Sequence, residues 1–310
     1  MPEGPEVKSF TEGLRVACKG NYLYQLIPEF GSKYSKYLDE PFSKQVLTSL
    51  PIKCLDIICR GKKIWMFFEK DIAFTSTLSM DGIWLTFRYG SDELNQYLTN
   101  QTELYHPRYM LNFAKLSNAT LQPYSQVVYD DITKWGLFRI MTWKDAISTI
   151  TDIGVDLLAT TIPIQDIDPG VAAQLPREFF DRLTLEMFTN LLQKRKTDLI
   201  CEFFTKQNYM SGIGNYLNSE ILYRAHISPL RVISTFTLQE IQTLYAVILD
   251  TIAKAYLTKD FTMKPLQQPP CDTEFEIKVY KRERDCNGFE VQRYVKKGKQ
   301  ISYYVTELQK

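Results

Sequence analysis

The sequence has few of the residues that usually bind metals. Six cysteines are scattered without any Cys-x-x-Cys pair, and the only histidines among 310 residues are His106 and His226. A four-ligand zinc site needs clustered cysteine and histidine, and a small disulfide scaffold needs closely spaced cysteines. We therefore expect neither, and we expect no metal or other cofactor.

An excess of one charge and long apolar runs are also missing. The chain has 37 Lys and Arg against 36 Asp and Glu, so any nucleic-acid surface has to be local. No stretch approaches the ~18 consecutive apolar residues of a membrane span, and the first residues lack the pattern of a secretory signal. These absences predict a soluble intracellular protein with no membrane partner, without distinguishing nucleus from cytoplasm.

The length and the apolar content indicate a well-buried protein with more than one core. At 310 residues and 45% hydrophobic content, two domains and a small appendage are expected. In CLDIICRGKKIWMFF, β-prone runs flank 60–63, which predicts a hairpin with lysine near its bend. Further short β-prone segments follow, so residues 1–150 are predicted to form a two-layered β domain with one early helix.

The second half of the chain has a helical pattern. The Pro- and Asp-rich stretch 151–172 predicts an interdomain connection, and residues 173–262 are predicted to form a helical domain. Thr197 is a candidate cap for one helix. Thr237 and Glu240 have capping-box spacing ahead of a long helix, whose apolar stripe we interpret as core.

A glycine pair lies between these helices, in SGIGNYLN. Gly212 and Gly214 precede Asn215, which predicts a tight double turn before a short helix. The free N–H groups at a helix start attract anions, including DNA phosphate. By itself the signal is weak, because most Gly-x-Gly segments are only turns.

The last forty residues predict a basic hairpin. Asn287-Gly288 is a strong hairpin signal, and a second turn is expected near Gly298. Residues 281–300 contain seven Lys and Arg against three Asp and Glu, a net charge of +4. Taken alone, this segment fits a solvated charged hairpin better than a DNA-binding one.

In their order along the chain, several strings together resemble the formamidopyrimidine-DNA glycosylase and endonuclease VIII family. They are MPEGPEV, RGKK, LSMDG, the WG of DDITKWG, GVDLL, SGIGNYLNSEILYRAHISP and a terminal hairpin ending in LQK. The resemblance implies an α+β fold with an N-terminal two-layered β-sandwich, one N-terminal helix, a helix-two-turns-helix domain and a finger at 270–310. Gly4 and the single finger cysteine, Cys286, resemble the endonuclease VIII branch with a zincless finger.

The resemblance implies a bifunctional DNA glycosylase and abasic-site lyase of base excision repair. Its expected partner is double-stranded DNA with damaged bases or abasic sites, bound by a monomer, and oxidised pyrimidines and formamidopyrimidines are favoured over 8-oxoguanine. Removal of Met1 would expose the secondary amine of Pro2, and α-amines titrate near ~7.7 to 8.0. That amine can attack C1′ of the damaged nucleoside, with Glu3 as acid and base.

The resemblance also gives expected roles to residues in the first half of the chain. Lys62 matches a hairpin lysine that binds phosphate and aids catalysis, Met80 a wedge that fills the gap left by a flipped base, and Trp135 an aromatic residue that packs against the opposite strand. Glu6 is either a helper in proton transfer or an acidic residue that stabilises the first helix.

Departures from the family pattern leave two points open. Asn215 and Tyr280 match phosphate-binding residues, but the finger arginine of the family is replaced by Gln300, unless Lys299 takes its place after a one-residue shift. Thr133 replaces the arginine that pairs with the orphaned base. The alternative function is therefore a damaged-DNA or abasic-site binding protein with little catalysis.

Overall fold

The computed structural model describes residues 2–28, 35–78, 81–99, 106–159, 162–258, 275–296 and 300–310. The first half of the chain contains eight strands and five helices within these ranges. They are α1 (Gly4–Cys18), β1 (Tyr22–Pro28), α2 (Ser35–Leu38), α3 (Pro41–Thr48), β2 (Ile52–Arg60), β3 (Lys63–Phe68), β4 (Ile72–Thr77), β5 (Ile83–Arg88), α4 (Asp92–Thr99), β6 (Pro107–Ser117), β7 (Thr120–Asp130), β8 (Leu137–Thr142) and α5 (Trp143–Ser148).

The strands form one continuous antiparallel arrangement in the order β5-β7-β6-β1-β2-β3-β4-β8. Strand β2 changes partner along its length: Ile52 and Lys53 pair with β1, whereas the residues from Cys54 onward pair with β3. A register irregularity between Cys54 and Asp56 marks the change. The predicted two-layered β-sandwich is confirmed, and the RGKK hairpin is present, with Arg60 paired to Lys63.

The first helix packs on this sandwich because its apolar residues recur at helical spacing. Val7, Phe10 and Leu14 are buried in one cluster with side chains from all eight strands. Pro5 lies within the first turn of α1, where the missing N–H of proline costs no hydrogen bond. The helix therefore holds the beginning of the chain in a defined place against the protein.

In the predicted connection 151–172, the described residues 151–159 and 162–172 contact both halves of the chain. Its residues 155–156 form strand β9 (Val155–Asp156), which pairs in parallel with β10 (Met210–Ser211). The guanidinium of Arg60 donates to the carbonyls of Ile153 and Gly154 at 3.0 and 2.9 Å. Helix α6 (Pro169–Ala172) buries Val171 in a cluster with residues of β2, β3 and β4.

The helical part of the chain contains α7 (Leu185–Gln193), α8 (Ile200–Phe204), α9 (Asn215–Arg224) and α10 (Leu238–Thr258). The capping box before α10 is present: Thr237 N donates to Glu240 Oε2 at 2.8 Å, and Glu240 N donates to Thr237 Oγ1 at 3.2 Å. The predicted cap at Thr197 is wrong, since α8 begins at Ile200 with Leu199 at its N-cap. No helix of the described residues is long and apolar enough to cross a membrane.

The finger is a short strand pair fixed to α9. Strands β11 (Gln292–Val295) and β12 (Ile301–Tyr304) pair in antiparallel fashion. At the predicted Asn287-Gly288 turn there is a single bridge, Arg284 to Glu290, rather than a longer ladder. In the part of the finger that the structure describes, no group of three or more His, Cys, Asp or Glu side chains could hold a metal. The domain boundaries given above remain predictions.

A buried glutamate of α9 anchors the finger. Glu220 is fully buried, and its carboxylate accepts the backbone N–H groups of Lys278, Val279 and Tyr280 at 2.9 to 3.1 Å. It also pairs with Arg224, one turn later on the same helix. Burying a carboxylate is costly unless it is paired and hydrogen-bonded, and Glu220 meets both conditions.

Replacing this anchor should destabilise the finger selectively. Glu220→Ala leaves three backbone N–H groups without their acceptor and removes the carboxylate that pairs with Arg224, so we expect a loss of about 3 kcal/mol or more in unfolding free energy. Hydrogen exchange at 278–280 should accelerate. Glu240→Ala, which removes a half-exposed capping carboxylate, serves as the control with an expected loss of about 1 kcal/mol. Equal losses and unchanged exchange at 278–280 would contradict the anchoring role.

Candidate active site

The carboxylate of Glu3 lies at the N-terminus of α9 and accepts three backbone hydrogen bonds there. The donors are the N–H groups of Gly214 at 2.5 Å, Tyr216 at 2.9 Å and Leu217 at 3.3 Å. Glu3 is completely buried. The first N–H groups of a helix have no partner within the helix and carry a partial positive charge, so they stabilise an anion. The anion at this helix start is therefore Glu3, a residue of the same chain, and the general expectation of an anion at the double turn is met by a carboxylate.

Glycine is required where the two segments meet. A methyl group at position 214 would lie 2.3 Å from Glu3 Oε1 and 2.5 Å from the Nζ of Lys62. Gly212 has a φ of +102°, and its carbonyl accepts the N–H of Gly4 at 2.8 Å. The space that a side chain would fill is thus occupied by the carboxylate and the ammonium group, which both approach the start of α9.

Burial dominates the electrostatics of this cluster. It raises the pKa of Glu3 from 4.5 to about 7, although Lys62 and the backbone donors act in the opposite direction. Burial also lowers the pKa of Lys62, while Glu3 and Glu6 raise it. A carboxyl group with a pKa near neutrality has both protonation states available, which suits a group that donates and accepts protons.

Glu6 and Pro2 complete the cluster. Glu6 Oε2 accepts the backbone N–H of Glu3 at 2.7 Å, and its Oε1 accepts the hydroxyl of Tyr216 at 2.6 Å. These contacts stabilise the start of α1 and favour the structural role for Glu6, without testing a role in proton transfer. Pro2 is buried and directly precedes Glu3, so the structure brings together four predicted residues: Pro2, Glu3, Glu6 and Lys62.

Comparison with known proteins points to one family. The family described as "Formamidopyrimidine-DNA glycosylase H2TH domain" matches this chain over residues 176–265. A formamidopyrimidine-DNA glycosylase of Arabidopsis thaliana is 22% identical over 82% of this chain and 58% of its own length, and one of a Wolbachia strain is 24% identical over 68% and 63%. Endonuclease 8 of Pectobacterium carotovorum is 24% identical over 84% of this chain and 81% of its own. Residues 176–265 thus resemble the helix-two-turns-helix domain of this family, and the similar proteins include both formamidopyrimidine-DNA glycosylases and an endonuclease 8.

Solved structures show the same fold at low sequence identity. A Lactococcus lactis Fpg mutant in complex with DNA containing Fapy-dG matches with a TM-score of 0.71, 17% identity and 100% coverage of both chains. Lactococcus lactis Fpg in complex with DNA containing an abasic site matches with a TM-score of 0.72, 18% identity and 99% coverage of both chains. The similar proteins include both branches of the family, so the endonuclease VIII branch remains a prediction for this chain.

Trp135 lies apart from the Glu3 cluster on an exposed loop. Its side chain is 68% exposed, between β7 and β8. The buried carboxylate of Asp131 fixes this loop, because it accepts the backbone N–H of Lys134 at 3.1 Å and of Gly136 at 2.8 Å. The hydroxyl of Thr133 donates to the same carboxylate at 2.8 Å. A rigid loop that presents an exposed tryptophan is compatible with the role that the family resemblance predicts.

The predicted residues nearer the finger are only partly brought together. Asn215 begins α9, beside the N–H groups that Glu3 occupies. The ring of Tyr280 packs edge-on against Tyr303 at 5.2 Å between centroids, and burial raises its pKa to about 12. Gln300 is exposed. Met80 and Lys299 lie outside the described residues.

Sequence reasoning missed three residues that shape this site. Gln207 holds the double turn through its amide, which accepts from Gly212 N at 3.0 Å and donates to the Ile213 carbonyl at 2.7 Å. Tyr216 holds Glu6, and Lys296 of the finger is buried near Asn215. Tyr216 follows Asn215 directly in the motif, whereas no sequence signal separates Lys296 from its basic neighbours.

The raised pKa of Glu3 predicts a pH-dependent stability. Between the unfolded pKa of 4.5 and the folded pKa of about 7, folded Glu3 retains a proton that the unfolded chain releases. The unfolding free energy of the wild type, relative to Glu3→Gln, should therefore fall as the pH rises through this range, by at most about 3 kcal/mol, and level off above it.

Denaturant titrations of both proteins from pH 4 to pH 8 measure this difference. Glu186→Gln, at an exposed position of α7, is the matched control. A difference between wild type and Glu3→Gln that stays constant over the range would show that folding does not raise the pKa of Glu3.

Proposed function

We propose that this protein is a bifunctional DNA glycosylase and apurinic/apyrimidinic lyase of base excision repair. The main support is one arrangement: Pro2, the buried acid Glu3 and the ammonium group of Lys62 converge at the N-terminus of α9. The names of the relatives and the DNA in the Lactococcus structures agree with this proposal. Its partner would be double-stranded DNA with a damaged base or an abasic site.

In the proposed reaction the amine of Pro2, freed by removal of Met1, attacks C1′ of the damaged nucleoside. The N-glycosidic bond breaks and its electrons leave with the base, while protonated Glu3 donates to the ring oxygen as the sugar opens. The product is an iminium ion, which stays cationic because a secondary amine has no second N–H proton to lose. It therefore accepts electrons when the C2′ proton is removed and the 3′ phosphate, then the 5′ phosphate, is eliminated.

The acid has to be protonated for the first part of this sequence and ionised later. A pKa of about 7 leaves both forms of Glu3 populated at neutral pH. Lys62 would bind phosphate near the reacting sugar, and the exposed ring of Trp135 would contact the strand opposite the flipped nucleotide. Oxidised pyrimidines and formamidopyrimidines are the proposed substrates, in keeping with the endonuclease VIII branch.

A second candidate is a binding protein with little catalytic activity. Two observations favour it. Gln300 is exposed and carries no charge, and Thr133, which stands where the family has an arginine, donates its hydroxyl to Asp131. Retention of Pro2, Glu3 and Lys62 favours the enzyme, since a binding protein has no need for an amine beside a buried acid.

A borohydride trapping assay separates the two candidates. The protein is incubated with a thymine-glycol or abasic duplex and sodium borohydride, which reduces the iminium to a stable covalent bond. We expect a trapped complex with the wild type and less with Pro2→Gly, whose primary amine gives an imine that can lose its N–H proton and its charge. Glu3→Gln should lower the rate of base release about 100-fold or more.

Two controls make the result specific to the amine. Pro41→Ala, in the first turn of α3, should trap like the wild type, and protein carrying an extension ahead of Met1 should not trap although it has every side chain. Binding of the abasic duplex without any trapped wild-type complex would contradict the proposal of an enzyme and support the binding protein.

A further inference from the structure

Lys296 lies at the base of the finger turn with its side chain directed into the protein. The residue is only 3% exposed, although it belongs to the most basic segment of the chain. Its backbone N–H donates to the carbonyl of Gln300 at 2.7 Å, which closes the turn. Lys296 and Gln300 are therefore opposite each other on the two sides of one turn, and Lys296 is the one that points inward.

The ammonium group of Lys296 reaches the start of α9. Its Nζ lies 3.5 Å from the Oδ1 of Asn215, the residue whose neighbours Gly214 and Tyr216 bind Glu3. Glu3 and Glu202 raise the pKa of Lys296 and Lys62 lowers it, so Lys296 is within electrostatic range of the candidate active site. The finger thus places a cation beside Asn215 and within electrostatic range of Lys62.

This ammonium group has no close anion among the residues that the structure describes. No carboxylate oxygen there lies within 4.0 Å of its Nζ, and its one side-chain hydrogen bond is the long contact to Asn215. Burial accordingly lowers the pKa of Lys296 to about 8. A buried cation is costly unless an anion compensates it, and a phosphate oxygen at this position would do so.

We propose that Lys296 is the finger cation that binds a DNA phosphate beside the damaged nucleotide, together with Asn215. It would supply from the opposite side of the turn the charge that position 300 lacks in this chain. The proposal rests on the proposed function, because it assigns the phosphate to the DNA substrate. A purely structural lysine, whose stem fills space between the finger and α9, is the competing explanation.

The test measures binding of an abasic-analogue duplex over a range of salt concentrations. A lysine that binds one phosphate contributes about 0.9 to the slope of log K against log salt, so Lys296→Gln should lower the slope by about that amount. The affinity near physiological salt should fall roughly tenfold, since a charge-assisted hydrogen bond becomes a neutral one. Lys296→Arg should keep most of the slope and most of the affinity.

Two further variants separate phosphate binding from packing. In the Lys296→Gln background, Gln300→Arg should restore the slope by returning a cation to the other side of the turn. The unfolding midpoint of Lys296→Met should equal or exceed that of the wild type, because the variant removes a buried charge that lacks a close anion. A lower midpoint with an unchanged slope would show a structural lysine and overturn the proposal.

Lys299→Gln provides the matched comparison within the same turn. A loss of slope in Lys299→Gln with no loss in Lys296→Gln would assign the phosphate contact to Lys299 and overturn the proposal. Trapping of the wild-type protein reports the enzyme, and the slope reports Lys296. If the wild type is trapped but has the same slope as Lys296→Gln, the Lys296 proposal alone is overturned. If the two slopes differ but the wild type is not trapped, the result supports the role of Lys296 and overturns the proposal of an enzyme.

Discussion

The hydrogen bonds between the Glu3 carboxylate and the first N–H groups of α9 determine most of what surrounds them. They join residues 211 positions apart in the chain and link the β-sandwich to the helical half. Because the carboxylate is buried, it needs these donors, and because the donors lie at a helix start, they have no other backbone partner. The same contact therefore docks two halves of the protein and orients the acid beside Pro2, and neither task can be changed without affecting the other.

The close approach explains residues that otherwise look unrelated. Gly214 leaves room for the carboxylate and the ammonium group, the carbonyl of Gly212 holds the N–H of Gly4, and Gln207 fixes the turn that connects the two glycines. Burial raises the pKa of Glu3 to about 7 against the opposing effect of Lys62, so both protonation states of this carboxyl group are populated near neutral pH. Such a state suits chemistry in which the same group gives and takes protons.

Local patterns could be predicted from the sequence, and long-range contacts could not. The hairpin at 60–63 and the capping box of Thr237 and Glu240 depend on residues close in sequence, and both are present. The acceptor of the N–H groups at the start of α9 could not be predicted, because Glu3 lies at the other end of the chain. Lys296 is one of seven cations between 281 and 300, and only the fold shows that its side chain points inward.

Helix α9 has one anion at its first turn and another within its body. Glu3 occupies the N–H groups of its first residues, and Glu220, further along the same helix, holds the finger segment 278–280. A helix of this length behaves as a stiff rod, so a tilt that displaces the finger also displaces the acid. The finger and the buried acid thus share one rigid support, and α9 transmits a displacement of either one to the other.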